Sequence, residues 1–197
     1  MSRGRLRGAV RRRIQGAPGV LDALGPRPPR PGPGPAELRV LFVCFGNICR
    51  SPMAEGALRV RLAGAGLLGR VAVDSAGTEA ERPGRRPDLR ARARVRAHGS
   101  SIRDLRARGF TVGDFDDFDL ILAMDEGNRD DLLALARDER DRGKVRLLLD
   151  YAGGGEVPDP VHSGPREFEA AYRAIDGALE GLVDDLRRRL EPAAGAP

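Results

Sequence analysis

Four short apolar runs recur along the chain, separated by segments whose apolar positions follow helical spacing. The first, Val40-Leu41-Phe42-Val43, is continuous, as in a strand buried on both faces. Val71-Ala72-Val73-Asp74-Ser75-Ala76-Gly77-Thr78 predicts a second strand and a turn. After Asp114 to Phe118, Asp119-Leu120-Ile121-Leu122-Ala123-Met124-Asp125 predicts a third strand that ends in an acid, and Val145 to Leu149 a fourth. Between them, Ser51 to Ala65 turns Met53, Ala57, Leu58 and Leu62 to one side, and Gly64-Ala65-Gly66 ends it. Pro87-Asp88 opens a helix that runs through Ala97 and closes at His98-Gly99, after a polar loop from Glu79. Asp131 to Arg140 reads as a helix, and Gly153-Gly154-Gly155 begins a long loop. The last helix, Glu167 to Leu190, carries Phe168, Tyr172, Ile175, Leu179, Leu182, Val183 and Leu186 on one stripe. Strands alternating with helices predict an α/β domain with a parallel sheet, whose ligands bind beyond the carboxyl ends of the strands.

The most informative place is the break after the first run, Cys44-Phe45-Gly46-Asn47-Ile48-Cys49-Arg50. It resumes at Ser51-Pro52, which predicts a helix start with Ser as N-cap and Pro at the first helical position. Strand, tight loop and helix together suit a dianion. Gly46 and Asn47 tolerate the backbone angles of a tight curl. Loop N–H groups and the helix N-terminus add positive potential. Arg50 offers two parallel N–H bonds to phosphate-type oxygens. The same field favours a Cys44 thiolate, a nucleophile at the floor of an anion cradle. Taken singly, each feature has a plainer reading: Cys-x5-Arg occurs by chance, and a cysteine ending an apolar strand is most often a small core residue. Cys49 lies five residues on in a loop that curls back, so a reversible disulfide with Cys44 is geometrically plausible.

Composition narrows the classes. The 197 residues suit one domain with a tail. The only two cysteines lie in this one loop, which excludes a disulfide framework and a cysteine-rich zinc site and suits a reducing, cytoplasmic setting. The two histidines, His98 at a helix end and His162, have no ligand spacing, so no metal is expected. The longest apolar runs are too short to span a membrane. The net charge of +5 misleads: residues 1–36 carry eight Arg and one Asp, so the rest of the chain balances to −2. A nucleic-acid patch is therefore not indicated for the folded part. The Arg-rich, then Pro/Gly-rich segment 1–36 reads as a disordered tail, 37–191 as the domain and 192–197 as a frayed end.

The stretch from Val40 to Glu55 resembles the signature loop of the low-molecular-weight protein tyrosine phosphatases, approximately V-x-F-V-C-x-G-N-I-C-R-S-P-x-A-E. Similar phrases follow at Ser75-Ala76-Gly77-Thr78, Pro87-Asp88-x-Arg90-Ala91, His98-Gly99, Arg106-Ala107-Arg108 and Asp119 to Asp125 with Asn128, so the likeness covers about Arg39 to Leu190. It implies a four-stranded parallel sheet flanked by helices on both faces, with the phosphate-binding loop after the first strand. It implies a cysteine-dependent phosphatase acting on phosphotyrosine-containing proteins through a phosphocysteine, without cofactor. Cys44 would be the nucleophile. Arg50 and the loop Phe45, Gly46, Asn47, Ile48, Cys49 and Ser51 would hold the phosphoryl oxygens. Ser75, which supports the loop by hydrogen bonds in the family, Asp125 and Asn128 would stand behind them. Val157-Pro158-Asp159-Pro160 would by itself read as a stiff turn; the resemblance makes Asp159 the general acid.

Departures bear on substrate choice. Glu81 stands about where the family often has an aromatic such as Trp, Val161-His162 replaces a common Tyr-Tyr or Tyr-Gly, and Phe45 supplies a replacement ring. The related protein-arginine phosphatases, the nearest alternative, usually carry Thr where this chain has Ile48. An arsenate reductase would need further cysteines downstream, and none follows Cys49. A non-catalytic phosphate-binding module would not need Cys44, Arg50 and Asp159 together.

Overall fold

A computed structural model describes residues 36–191. The expected tail, except for its last residue, and the segment 192–197 lie outside them. Strands β1 (Leu38–Cys44), β2 (Val71–Gly77), β3 (Leu120–Ala123) and β4 (Val145–Leu147) form one parallel sheet in the order β2-β1-β3-β4. The chain reverses direction across the sheet between β2 and β3, on either side of β1, so the switch point falls where β1 ends.

Six helices flank the sheet among the described residues: α1 (Arg50–Gly64), α2 (Leu89–Ala97), α3 (Asp114–Asp117), α4 (Glu126–Leu135), α5 (Glu139–Gly143) and α6 (Pro165–Leu190). The alternation within β1 assigns the layers. Val40, Phe42 and Cys44 belong to a core with Met53, Leu58 and Leu62 of α1, Val95 of α2 and Phe168, Ile175, Leu179, Leu182 and Leu186 of α6. Leu41 and Val43 face Phe115, Phe118, Leu132 and Leu147 on the other side. A strand buried on both faces needs an unbroken apolar run, as Val40 to Val43 has. No helix of the described residues is long and apolar enough to cross a membrane.

Three of the boundaries that differ from expectation have a local polar reason. Helix α1 begins at Arg50 with Cys49 at the N-cap, so Ser51 and Pro52 lie inside the first turn. Proline is tolerated there because first-turn N–H groups have no intrahelical acceptor, and the Ser51 hydroxyl is occupied elsewhere. The single helix expected over Asp131 to Arg140 starts earlier and is split. Asp125 accepts from Asn128 N at the start of α4, and Asp138 accepts from Asp141 N to start α5 after Ala136 turns extended. β4 stops at Leu147, where Asp150 accepts from Leu147 N and the chain continues as a 3-10 turn, Leu148–Ala152.

One buried group couples the fold to pH. Glu55 of α1 is 1% exposed. It accepts from Ser75 Oγ at 2.6 Å and from the half-exposed Arg59 at 2.7 Å. Burial pushes its carboxyl from 4.5 up to about 7, against the pull of Arg59. The folded state holds this proton more tightly than the unfolded chain, so the associated stability is complete below about pH 4.5 and lost as pH rises through about 7. The span corresponds to an upper limit of roughly 3–4 kcal/mol. Melting temperature should therefore decline between pH 5 and 8 more steeply in the wild type than in Glu55→Gln. Parallel curves would mean that Glu55 does not titrate in this window.

Candidate active site

The loop between β1 and α1 is shaped from outside. The carbonyls of Cys44, Phe45 and Ile48 accept from Thr78 N, Glu79 N and Asp88 N at 2.8–2.9 Å. In a trans peptide the next N–H points the opposite way, so those of Phe45, Gly46 and Cys49 turn into the loop. Asn47 takes the left-handed conformation, φ 53°. Its side chain bridges two sides, donating to Ser51 Oγ at 2.9 Å and accepting from Arg108 N at 2.9 Å. Gly77 permits this closeness: a Cβ there would lie 2.5 Å from the Phe45 carbonyl oxygen. The sequence carried a trace of that in Ser75-Ala76-Gly77-Thr78, but not its reason.

Cys44 is buried at the end of β1, with Sγ 3.1 Å from Ser51 Oγ. Ser51 Oγ also lies 3.2 Å from the Ala76 carbonyl, to which it donates, and accepts from Asn47. A hydroxyl has one proton, so while it serves Ala76 the thiol must donate to Ser51. Turned toward sulfur, the same hydroxyl would donate to a thiolate.

Arg50, buried at the first position of α1, is held on two sides. Nη1 donates to Asp125 Oδ2 at 2.6 Å and to the Val157 carbonyl at 3.2 Å, and Nη2 donates to Asp159 Oδ2 at 2.9 Å. Burial opposes the guanidinium charge, but Cys44, Asp125 and Asp159 more than offset this and raise its pKa. Asp125 in turn spends its second oxygen on Asn128 N. The expected supporting pair Asp125 and Asn128 therefore fixes Arg50 rather than the loop backbone. Asp159 is partly exposed, and its Oδ1 accepts from Val161 N at 3.2 Å.

The structure thus brings together Cys44, Phe45, Gly46, Asn47, Ile48, Cys49, Arg50 and Ser51 with Asp125, Asn128 and Asp159. Ser75 is the exception. Its hydroxyl bonds Glu55, not the loop, and the contact with the loop comes from its neighbour, the Ala76 carbonyl, through Ser51. Cys49 is also buried, and burial, with Asp88 and Cys44 nearby, pushes its thiol up to about 12. Sequence reading missed a buried ion cluster behind the loop. Arg108 pairs with Asp74 at 2.7 Å and Asp114 at 3.1 Å while its backbone N holds Asn47. Around the mouth, Phe45 is 46% exposed, Glu81 and His162 are exposed, and Val161 is half-buried.

The family model described as "low molecular weight phosphotyrosine protein phosphatase" matches residues 39–191. A Streptomyces coelicolor low molecular weight protein-tyrosine-phosphatase is 44% identical over 161 residues, covering 79% of this chain and 98% of that protein. A crystal structure of an Entamoeba histolytica protein tyrosine phosphatase, with Hepes in its active site, superposes with TM-score 0.73 at 33% identity over 77% of this chain and 98% of that one. The arginine phosphatase YwlE, solved as a cysteine-to-serine mutant with a phosphorylated active site serine, gives TM-score 0.70 at 28% identity over 78% of this chain and all of that one.

Proposed function

The chain belongs to the low molecular weight phosphotyrosine protein phosphatases, and from that membership and its site geometry we propose that it hydrolyses phosphotyrosine in proteins through a phosphocysteine. The observation that carries the reading is the convergence on one guanidinium. Asp159 reaches Arg50 Nη2 at 2.9 Å, and Arg50 starts the helix that closes the Cys44 loop. An acid and a nucleophile therefore border one anion site.

Cys44 sulfur attacks phosphorus in line while the bond to the tyrosyl oxygen breaks. Asp159 gives its proton to that oxygen. The inward N–H groups and Arg50 hold the three equatorial oxygens throughout. Water, losing a proton to Asp159, then attacks phosphorus and releases phosphate and the thiolate. Ser51, able to turn from Ala76 to sulfur, stabilises that thiolate as leaving group and nucleophile. Neither step calls for a metal, because the guanidinium and amides carry the charge. Phosphate release from a phosphotyrosine peptide, equal with and without EDTA, is the expected result. No release, or faster release from a phosphoarginine peptide, would overturn the substrate assignment. The free thiols suit the cytoplasm, which cell fractionation would check.

Cys49 is assigned a protective role in the same loop. Peroxide converts the Cys44 thiolate to a sulfenic acid, and the Cys49 thiol then forms the disulfide with loss of water. Its raised pKa keeps it protonated and so guards it from direct attack by peroxide. Wild-type activity lost to peroxide should return with added thiol, whereas Cys49→Ser should recover poorly. Equal recovery in both would remove the role.

A further inference from the structure

Beside the phosphate loop runs an open groove lined by residues 85–90 and Arg92. It is joined to the site on two sides. Asp88 N donates to the Ile48 carbonyl at 2.8 Å. Arg90 donates to the carbonyls of Ser163 and Val161 at 2.6 and 3.1 Å, just after Asp159. The groove therefore spans from the phosphate loop to the segment carrying the acid.

Its charge is unbalanced. Most guanidinia of this domain are paired, as in Arg61 with Asp176, Arg70 with Glu37 and Arg137 with Asp116 and Asp141. The groove's one acid, Asp88, is taken by Arg90 through both oxygens, which holds its carboxyl below the usual range. Arg85 adds to the field on Asp88 without a direct ion pair to it, Arg86 and Arg92 form no ion pair with a carboxylate among the described residues, and the Arg92 Nε is buried without a hydrogen-bond partner. Residues 82–92 hold five arginines and one aspartate, in a chain that from residue 37 onward balances to −2. Leu89, 73% exposed, adds an apolar contact.

We propose that this groove binds carboxylate side chains flanking the phosphotyrosine, so that acid-flanked phosphotyrosine sequences are the preferred substrates; the proposal rests on the phosphatase reading above. A peptide advances about 3.3 Å per residue when extended, and the groove adjoins the phosphate loop through Asp88 and Ile48, so residues flanking the phosphotyrosine can reach it. A peptide fits better than a nucleic acid, because the groove has no aromatic ring on which a base could stack.

The test compares kcat/KM for phosphotyrosine peptides with acidic and with neutral flanks, in the wild type, Arg85→Gln/Arg86→Gln and Arg85→Glu/Arg86→Glu. Both arginines are exposed, and the Arg85 backbone bonds survive substitution. The wild type should favour the acidic peptide by roughly 3–10-fold at low salt, less at high salt. The glutamine variant should lose that preference and the glutamate variant reverse it, while hydrolysis of a small aryl phosphate stays unchanged in all three. Equal rates on both peptides, or a preference that survives the glutamine variant, would overturn the proposal. So would displacement of the acidic peptide's advantage by an RNA oligonucleotide that binds the wild type more tightly, which would make the groove a nucleic-acid surface. If the aryl phosphate is hydrolysed and no phosphotyrosine peptide is, the substrate reading fails by itself. The groove is then read from the same peptides as inhibitors of aryl phosphate hydrolysis: tighter inhibition by the acidic one, lost in the glutamine variant, upholds it, and equal inhibition overturns it.

Discussion

Cys44→Ser should lower turnover of every phosphate ester to background, a loss on the order of 10⁴-fold or more. The serine hydroxyl is smaller than the thiol and enters its place without a clash, and its oxygen can keep the hydrogen bond to Ser51. The fold should survive, with melting temperature close to wild type. What disappears is the sulfur nucleophile, since a serine hydroxyl is a far weaker attacking group. The inward amides and Arg50 remain, so inorganic phosphate should still bind with an affinity near that of the wild type. Calorimetry with phosphate and single-turnover assays together separate the two effects. Turnover above background in the folded variant would remove Cys44 as the nucleophile.

The second expectation tests Asp159 through the leaving group. A tyrosine-type phenolate has a conjugate acid of pKa about 10 and leaves poorly without a proton. A strongly activated nitrophenolate needs little help. In Asp159→Asn, phosphoenzyme formation from a phosphotyrosine peptide should fall by roughly 10²–10⁴-fold, and from the activated aryl phosphate much less. The asparagine oxygen can still accept from Val161 N, and the lost ion pair to Arg50 has a partly exposed partner, so stability should change little. Single-turnover rates are needed because the proposed mechanism also gives Asp159 a part in the hydrolysis step. Equal losses on both esters would leave Asp159 a turn residue. Asp125 would then be the next candidate, although it already bonds Arg50 and Asn128.

Much of the site was legible because it is contiguous. Residues 44–51 are strand end, loop and helix start, and the loop's polar groups close largely on themselves, as Asn47 and Ser51 do. The sheet was legible for a related reason: a parallel strand buried on both faces must be apolar along its length, and period decides strand against helix. Helix ends were less so, because tertiary contacts can claim a side chain that would otherwise cap. Ser51 reads as an N-cap until Cys44 and Ala76 take its hydroxyl. Asp138, unremarkable in a row of charges, splits a helix by capping the next one.

The sequence by itself determined the order of the strands, the nucleophile candidate and the candidate anion-holding loop, since each depends on neighbours in the chain. Only the tertiary structure decided what reaches that loop from afar. Asp159 meets Arg50 across 109 residues, and Asp125 meets it across 75. Arg108 reads as part of a basic turn, yet it is buried against Asp74 and Asp114 and offers its backbone N to Asn47. Ser75 sits two residues before Gly77 on β2, but the pleat turns its hydroxyl toward Glu55 and leaves the Ala76 carbonyl to face Ser51. Such contacts depend on strand register and on which face a side chain takes, and those are fixed when the layers pack against each other.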